Sequence, residues 1–344
     1  MQIHSSTKIA LVSLAVALLS LLAGCQGSSA PNQTQTQNAS PSSSSSPSPS
    51  ATTAAQQRGS EFDGQRAFEN VRKQVEFGPR PAGSEELAKT REYIIGELKS
   101  YGLNVMTDEW SPKTPVGVRK MVNVTAELPG ESSDVIIISS HYDTKLFKQF
   151  QFVGANDGGS STGALMELAR VLAASGQKPR FTYWFVFFDG EEAFCFDWEE
   201  CKNPNGEPDN TYGSRHFVDQ LKAKKEIKRV RAMILLDMMG YKDLQLGRDL
   251  EMSTKWLIDV VWNTARETGH GNQFINMNEG VGGDDHEPFV KAGIDSLDII
   301  QLSTYPHWHT PDDTLDKISP ESLKTVGDVL LASLPRIEQH LQSK

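Results

Sequence analysis

The sequence predicts an α/β protein, three-layered (αβα) around a mixed, mostly parallel central sheet. Two observations carry this. Short continuous apolar runs of strand length alternate with longer segments of helical period. Those runs also lack polar alternation, which marks strands buried on both faces, as parallel strands are.

Phe68, Val71 and Val75 recur at helical spacing, so a helix opens the folded part. Pro79, Pro81 and Gly83 interrupt the chain, and Ser84 is placed to cap a second helix to about Tyr101. Residues 102–109 and 121–128 read as antiparallel edge strands. Residues 135–138, 181–188, 232–236 and 297–302 are the buried runs. Between them lie amphipathic helices at 163–174, 212–223 and 256–268, and a long helix spans 319–341. A further helix is expected to start near Asp284, whose alternative role would be its N-cap.

Three regions follow from composition. The hydrophobic fraction of 38% is low because residues 26–60 are nearly all Ser, Pro, Thr, Gln, Asn and Ala. Such a segment buries too little to offset its ordering entropy and reads as a disordered tether. Ahead of it, Lys8 precedes the apolar run 9–22, which is short for a membrane span and suits a secretory signal. Its end, Leu22-Ala23-Gly24-Cys25, resembles the lipobox of bacterial lipoproteins. That likeness implies a signal peptide over 1–25, lipidation at Cys25, and a chain anchored to a bacterial cell envelope, on the periplasmic face or outer membrane. Residues 61–344 remain as a single catalytic domain. A net charge of −10 with no basic cluster argues against a nucleic-acid partner. Of three cysteines, Cys195 and Cys201 remain after Cys25, and in an exported chain they are expected to pair.

Acids and imidazoles follow each buried run. The first leads into Ser139-Ser140-His141-Tyr142-Asp143, the second into Asp189-Gly190-Glu191-Glu192, and the third ends in Asp237. The fourth is followed by Trp308-His309-Thr310-Pro311-Asp312-Asp313, and Asp157 sits in Asn156-Asp157-Gly158-Gly159 before a helix. Parallel strands bring these ends to one edge, where open α/β sheets bind ligands. Histidine with Asp and Glu, without cysteine, is the donor set of a catalytic zinc site. Of the adjacent Glu191 and Glu192, one can bind metal while the other moves protons.

These motifs resemble the zinc aminopeptidase superfamily that also holds the animal-type glutaminyl cyclases. Five stretches resemble the cyclase branch: His141-Tyr142-Asp143, 188–194, 212–216, Asp284-Asp285-His286-Glu287-Pro288-Phe289 and 308–313. The cyclase resemblance implies one Zn2+ on Asp157, Glu192 and His309, with Glu191 as general acid/base. It also implies Asp237 and Asp284 in a buried acidic hydrogen-bond network with Glu191, and Trp308 as a wall of the substrate pocket. The peptidase branch implies up to two Zn2+. Asp157 would bridge them, and His141 and Asp237 would be the second-metal candidates. The implied activity is a glutaminyl-peptide cyclotransferase, an acyltransferase acting on peptide or protein N-termini and releasing ammonia. The alternative is a metallo-aminopeptidase. The segment 195–210 is unusual for either branch.

Overall fold

The computed structural model describes residues 61–198 and 200–343. The signal segment, Cys25 and the tether lie outside the described residues.

The chain opens with α1 (Gly64–Phe77), capped by the Asp63 carboxylate, which accepts from the amides of Gln65 and Arg66. Next comes α2 (Glu85–Ser100), where the Ser84 hydroxyl accepts from the Leu87 amide as the sequence predicts. Strands β1 (Asn104–Trp110) and β4 (Met121–Leu128) flank a small hairpin of β2 (Lys113–Thr114) and β3 (Gly117–Val118). Strand β5 (Val135–His141), helix α3 (Gly159–Ala174), strand β6 (Thr182–Phe188), helix α4 (Tyr212–Ala223) and strand β7 (Val230–Asp237) follow. The chain then forms β8 (Leu246–Arg248), α5 (Lys255–Glu267), β9 (Phe274–Asn278), the short α6 (Glu287–Lys291), β10 (Ser296–Ile300) and α7 (Pro320–Gln342).

The main sheet has the order β1-β4-β6-β5-β7-β10. The pairings β6–β5, β5–β7 and β7–β10 are parallel; β1–β4 and β4–β6 are antiparallel. Every residue of β5 and β6 is buried, which is why neither shows polar alternation. Successive side chains point to opposite faces, and the core divides accordingly. Ile136, Ile138, Phe185, Phe187, Ile234 and Leu236 pack with α1, α2, α3, α5 and α7. Val135, Ile137, Trp184, Val186, Met233 and Leu235 pack on the other face with Phe217 of α4 and Phe289 of α6. These two helical layers complete the expected αβα architecture.

Two expectations shift. Helix α3 starts at Gly159, four residues earlier than periodicity indicates. Its preceding residue Gly158 has φ +74°, and a Cβ there would lie 2.6 Å from the Asp143 carbonyl, so only glycine fits this turn. Asp284 is not a helix N-cap. That place falls to His286, and Pro288 sits in the first turn of the five-residue α6.

Candidate metal centre

Register fixes where the chemistry gathers. His141, the last residue of β5, pairs with Phe188 of β6, so the Asp189-Gly190-Glu191-Glu192 turn rises beside it. Ser139 pairs with Leu235, which brings Asp237 level with His141 on the other side. Asp157 arrives from the loop entering α3, and His309 from the loop beyond β10.

Two groups of side chains result, and they share Asp157. In one, His309 Nε2 lies 3.4 Å from Asp157 Oδ2 and 3.4 Å from Glu192 Oε2. In the other, His141 Nε2 lies 3.3 Å from Asp157 Oδ1 and 3.2 Å from Asp237 Oδ1. Glu191 faces the opposite ring nitrogen, with Oε2 3.7 Å from His141 Nδ1. Asp157 Oδ2 and both Glu192 carboxylate oxygens are buried with no hydrogen bond among the described residues. Buried polar groups are ordinarily satisfied, and unpaired carboxylate oxygens cost far more than neutral atoms. Imidazole nitrogens and unpaired carboxylate oxygens converging on one point fit a divalent cation of the zinc type.

Supporting carboxylates hold these segments. The Glu191 amide donates to Asp143 Oδ1 at 3.1 Å, and the Glu192 amide to Asp143 Oδ2 at 3.4 Å. The amides of Asn156 and Asp157 donate to the two oxygens of Asp313 at 2.8 and 3.1 Å, and the Tyr305 hydroxyl donates to the same carboxylate. Arg80, wholly buried, donates to the carbonyls of Tyr142, Val153 and Gly154 and so ties the His141 and Asp157 loops together. Lys145, also buried, donates to the Ala193 and Cys195 carbonyls and stands 3.9 Å from Glu192. His309, at φ +53°, and Met238, at φ +42° just after Asp237, adopt left-handed backbone without being glycine. Such strain persists only where surrounding structure enforces it.

The electrostatics follow from crowded acids in a dry site. Burial opposes a proton on His309, but Glu192 and Asp157 outweigh it and push its pKa up to about 9. Burial likewise opposes a proton on His141, and Glu191 and Asp237 outweigh it. Burial would raise Asp157, yet its contacts with the two imidazoles hold it well below the usual carboxylate range. Burial, then the net effect of neighbouring acids against His141, holds Glu191 well above the ordinary glutamate value. Burial and Asp237 push Asp284 up to about 7. One carboxylate group is thereby kept ionised for a cation, and another is kept able to carry a proton.

Both groups open on one pocket. Its acidic floor is Asp157, Glu191, Glu192, Asp237 and Asp284; its walls are Trp198, Met238, Val281, Ile300, Leu302 and Trp308, with His309 completing the lining. Trp308 is 44% exposed and stacks on His309 with ring centroids 4.2 Å apart. The structure thus gathers Asp157, Glu191, Glu192, Asp237, Asp284, Trp308 and His309 around one cavity, with His141 directly behind. The implied hydrogen-bond network among Glu191, Asp237 and Asp284 is not formed among the described residues. Asp237 bonds His141, and the Asp284 carboxylate accepts from the Asp285 amide. Cys195 and Cys201 form the expected disulfide, Cα atoms 6.1 Å apart. It closes the loop carrying Trp198, a pocket residue that the sequence reading did not single out. Asp143 and Asp313 stand inside the quoted motifs, but their support of neighbouring amides is a tertiary fact that spacing does not reveal.

Residues 123–334 match peptidase family M28. The crystal structure of an Acidobacteriales bacterium glutaminyl cyclase is similar at a TM-score of 0.75 and 34% identity, covering 87% of this chain and 100% of that one. The glutaminyl-peptide cyclotransferase of Drosophila melanogaster is 26% identical over 262 residues, 70% of this chain and 72% of its own length. A Zn-dependent exopeptidase from Parabacteroides distasonis is similar at a TM-score of 0.71 and 26% identity, covering 80% and 98% of the two chains. The strand-end site, the sheet order and these likenesses lead to one assignment: the chain belongs to peptidase family M28.

Proposed function

We propose that this chain is a zinc-dependent glutaminyl-peptide cyclotransferase, converting N-terminal glutamine of peptides to pyroglutamate with release of ammonia. The observation that carries the reading is the convergence in one pocket of Asp157, Glu192 and His309, grouped as a divalent cation would need, with the proton-competent carboxyls of Glu191 and Asp284. Similarity to solved glutaminyl cyclases supports it.

Asp157, Glu192 and His309 would hold the zinc ion, which when bound supplies Lewis acidity toward the γ-carboxamide carbonyl. The residues of the chain do the rest. Glu191 is placed to take a proton from the substrate α-amine as the new nitrogen–carbon bond forms. It then returns that proton to the departing amide nitrogen, which leaves as ammonia when the old carbon–nitrogen bond breaks. No water is consumed. A carboxyl with a raised pKa serves both directions, since it neither holds its proton too tightly nor releases it irreversibly. Asp237 raises Asp284 and Asp284 raises Glu191, so the three would titrate as a unit. Trp308 would close the pocket over the ring. Through Cys25 the reaction would take place at a lipid anchor on the cell envelope.

The second reading, an aminopeptidase, is favoured by the His141–Asp157–Asp237 group, which could hold a second cation. One experiment separates them. The zinc-loaded chain is offered a glutaminyl dipeptide and a leucyl anilide, and ammonia and amine release are followed. Ammonia from the first without amine from the second is expected. Amine alone would transfer Glu191 to water activation and refute cyclisation.

A further inference from the structure

The substrate pocket does not end at Trp198. A second cavity continues from it, sharing Trp198 and Gly283 as a common wall. One side is the segment that follows the Cys195–Cys201 disulfide, which supplies Lys202; the other is the Gly282-Gly283 segment and α6, whose first and last residues supply Glu287 and Lys291. The acidic residues lie on the floor of the first cavity, while this outer one carries two ammonium groups against one carboxylate. Lys291 Nζ lies 2.8 Å from Glu287 Oε1 and is 69% exposed; Lys202 is exposed and has no ion pair among the described residues. Against the chain's net charge of −10, the residues that line this outer cavity carry two lysines to one glutamate, although the segment that supplies Lys202 also holds Asp197, Glu200, Glu207 and Asp209.

The backbone here is also unspent. Gly282 and Gly283 lie outside any helix or strand, and among the described residues their amides make no hydrogen bond. A Cβ at Gly282 would meet nothing within 4 Å, so the chain is open to solvent on that side. Free amides in an uncovered segment are donors for an extended peptide laid alongside, the way peptides commonly add to exposed backbone.

We propose that this groove is the subsite for the substrate residues following the N-terminal one, and that Lys202 and Lys291 make it select acidic side chains there. The inference rests on the proposed action at peptide N-termini for its first residue alone. The groove is lined by residues of 198–210, by Gly282-Gly283 and by Glu287 and Lys291 of α6, not by the proton-transfer residues. Selection should therefore appear in kcat/KM, mainly through KM.

The test uses the full zinc-loaded chain and three glutaminyl tetrapeptides with Glu, Ala or Lys at both the second and third positions. Ammonia release is measured at low and high salt. The Glu peptide is expected to exceed the Lys peptide in kcat/KM by roughly tenfold at low salt, the sum of two partly exposed ion pairs. Salt should shrink the ratio, because exposed charges are screened over about 10 Å at 0.1 M. Lys202→Glu should remove most of the preference, and Lys291→Gln should reduce it. Equal kcat/KM for all three peptides, or a preference unchanged in both variants, overturns the inference. If no glutaminyl peptide releases ammonia, the cyclisation reading fails by itself. The same panel with N-terminal leucine, followed by amine release, then decides the groove by the same ratios.

Discussion

Replacing Glu191 by glutamine tests the proton shuttle with the least structural change. Glu191 is 5% exposed and would keep its shape as an amide. Its backbone amide stays anchored to Asp143 Oδ1 at 3.1 Å, and Asp157, Glu192 and His309 are untouched. The new side-chain amide still presents a polar atom to His141 Nδ1, a buried nitrogen with no hydrogen-bond partner among the described residues. An uncharged amide in this space also carries no charge to desolvate, so thermal stability is expected to match or exceed the parent's. What is lost, on the cyclisation reading, is the carboxyl proposed to move a proton between the two substrate nitrogens. A positioned acid/base contributes at least ~100-fold, which corresponds to about 2.7 kcal/mol of barrier. The assay is steady-state ammonia release from a glutaminyl peptide, with zinc content and melting temperature measured on the same preparation. KM should change little, because the substrate's α-amine and carboxamide still meet the same walls. Turnover within about tenfold of the parent, at full zinc content, would show that another group carries the proton.

His309→Ala removes the nitrogen facing both Asp157 and Glu192. Zinc should become substoichiometric by metal analysis, and the zinc-dependent rise in melting temperature, on the order of 10 °C at saturating metal, should vanish. Replacing both Cys195 and Cys201 by serine opens a loop with a sequence separation of 6; closing so short a loop contributes about 2 kcal/mol. A thermal melt should register that loss, and KM should rise because Trp198 is freed. Asp284→Ser removes one of the acids that raise Glu191. Cyclisation should fall sharply while zinc is retained, and retention of full ammonia release would deny Asp284 a role. Cys25→Ser should free the chain from the membrane fraction or block its processing, read by fractionation and mass measurement; unchanged behaviour in both would remove the lipid anchor.

The fold was legible where burial is total. Strands β5 and β6 are apolar throughout because both faces are covered, and their boundaries fall close to the apolar runs. Helix α2 was legible at its start because Ser84 caps it through a local bond. Legibility failed where conformation depends on contacts distant in sequence. The Gly158-Gly159 turn reads as preceding a helix that periodicity starts at 163, yet α3 begins at Gly159 itself, from a positive-φ turn at Gly158 where a Cβ would meet the Asp143 carbonyl. The pairs β2–β3 and β8–β9 are too short to show a period. At the site, the residues that face the cavity were readable from their place after apolar runs. The residues behind them were not. Asp143, Asp313 and Arg80 act on backbone groups brought near only by the sheet, and nothing in their own neighbourhoods announces that.

The same strand-end carboxylates can serve cyclisation or hydrolysis, so the deciding property lies in the walls of the pocket. In cyclisation the nucleophile is already part of the substrate. Intramolecular attack of this kind carries effective molarities of about 10⁵ to 10⁸ M, far above the concentration of water. The protein therefore need only polarise the carboxamide, relay one proton and keep the substrate folded upon itself. Val281, Ile300 and Met238 are buried apolar surfaces on this pocket, and Trp308 and Trp198 stand at its sides. Such walls favour a compact substrate side chain and leave few groups to hold an attacking water in place. A hydrolase built on the same edge needs the opposite, an ordered water held beside the base. On this argument the aromatic walls, one of them fastened by the Cys195–Cys201 disulfide, separate the two chemistries more than the metal-facing residues do, because those residues suit both.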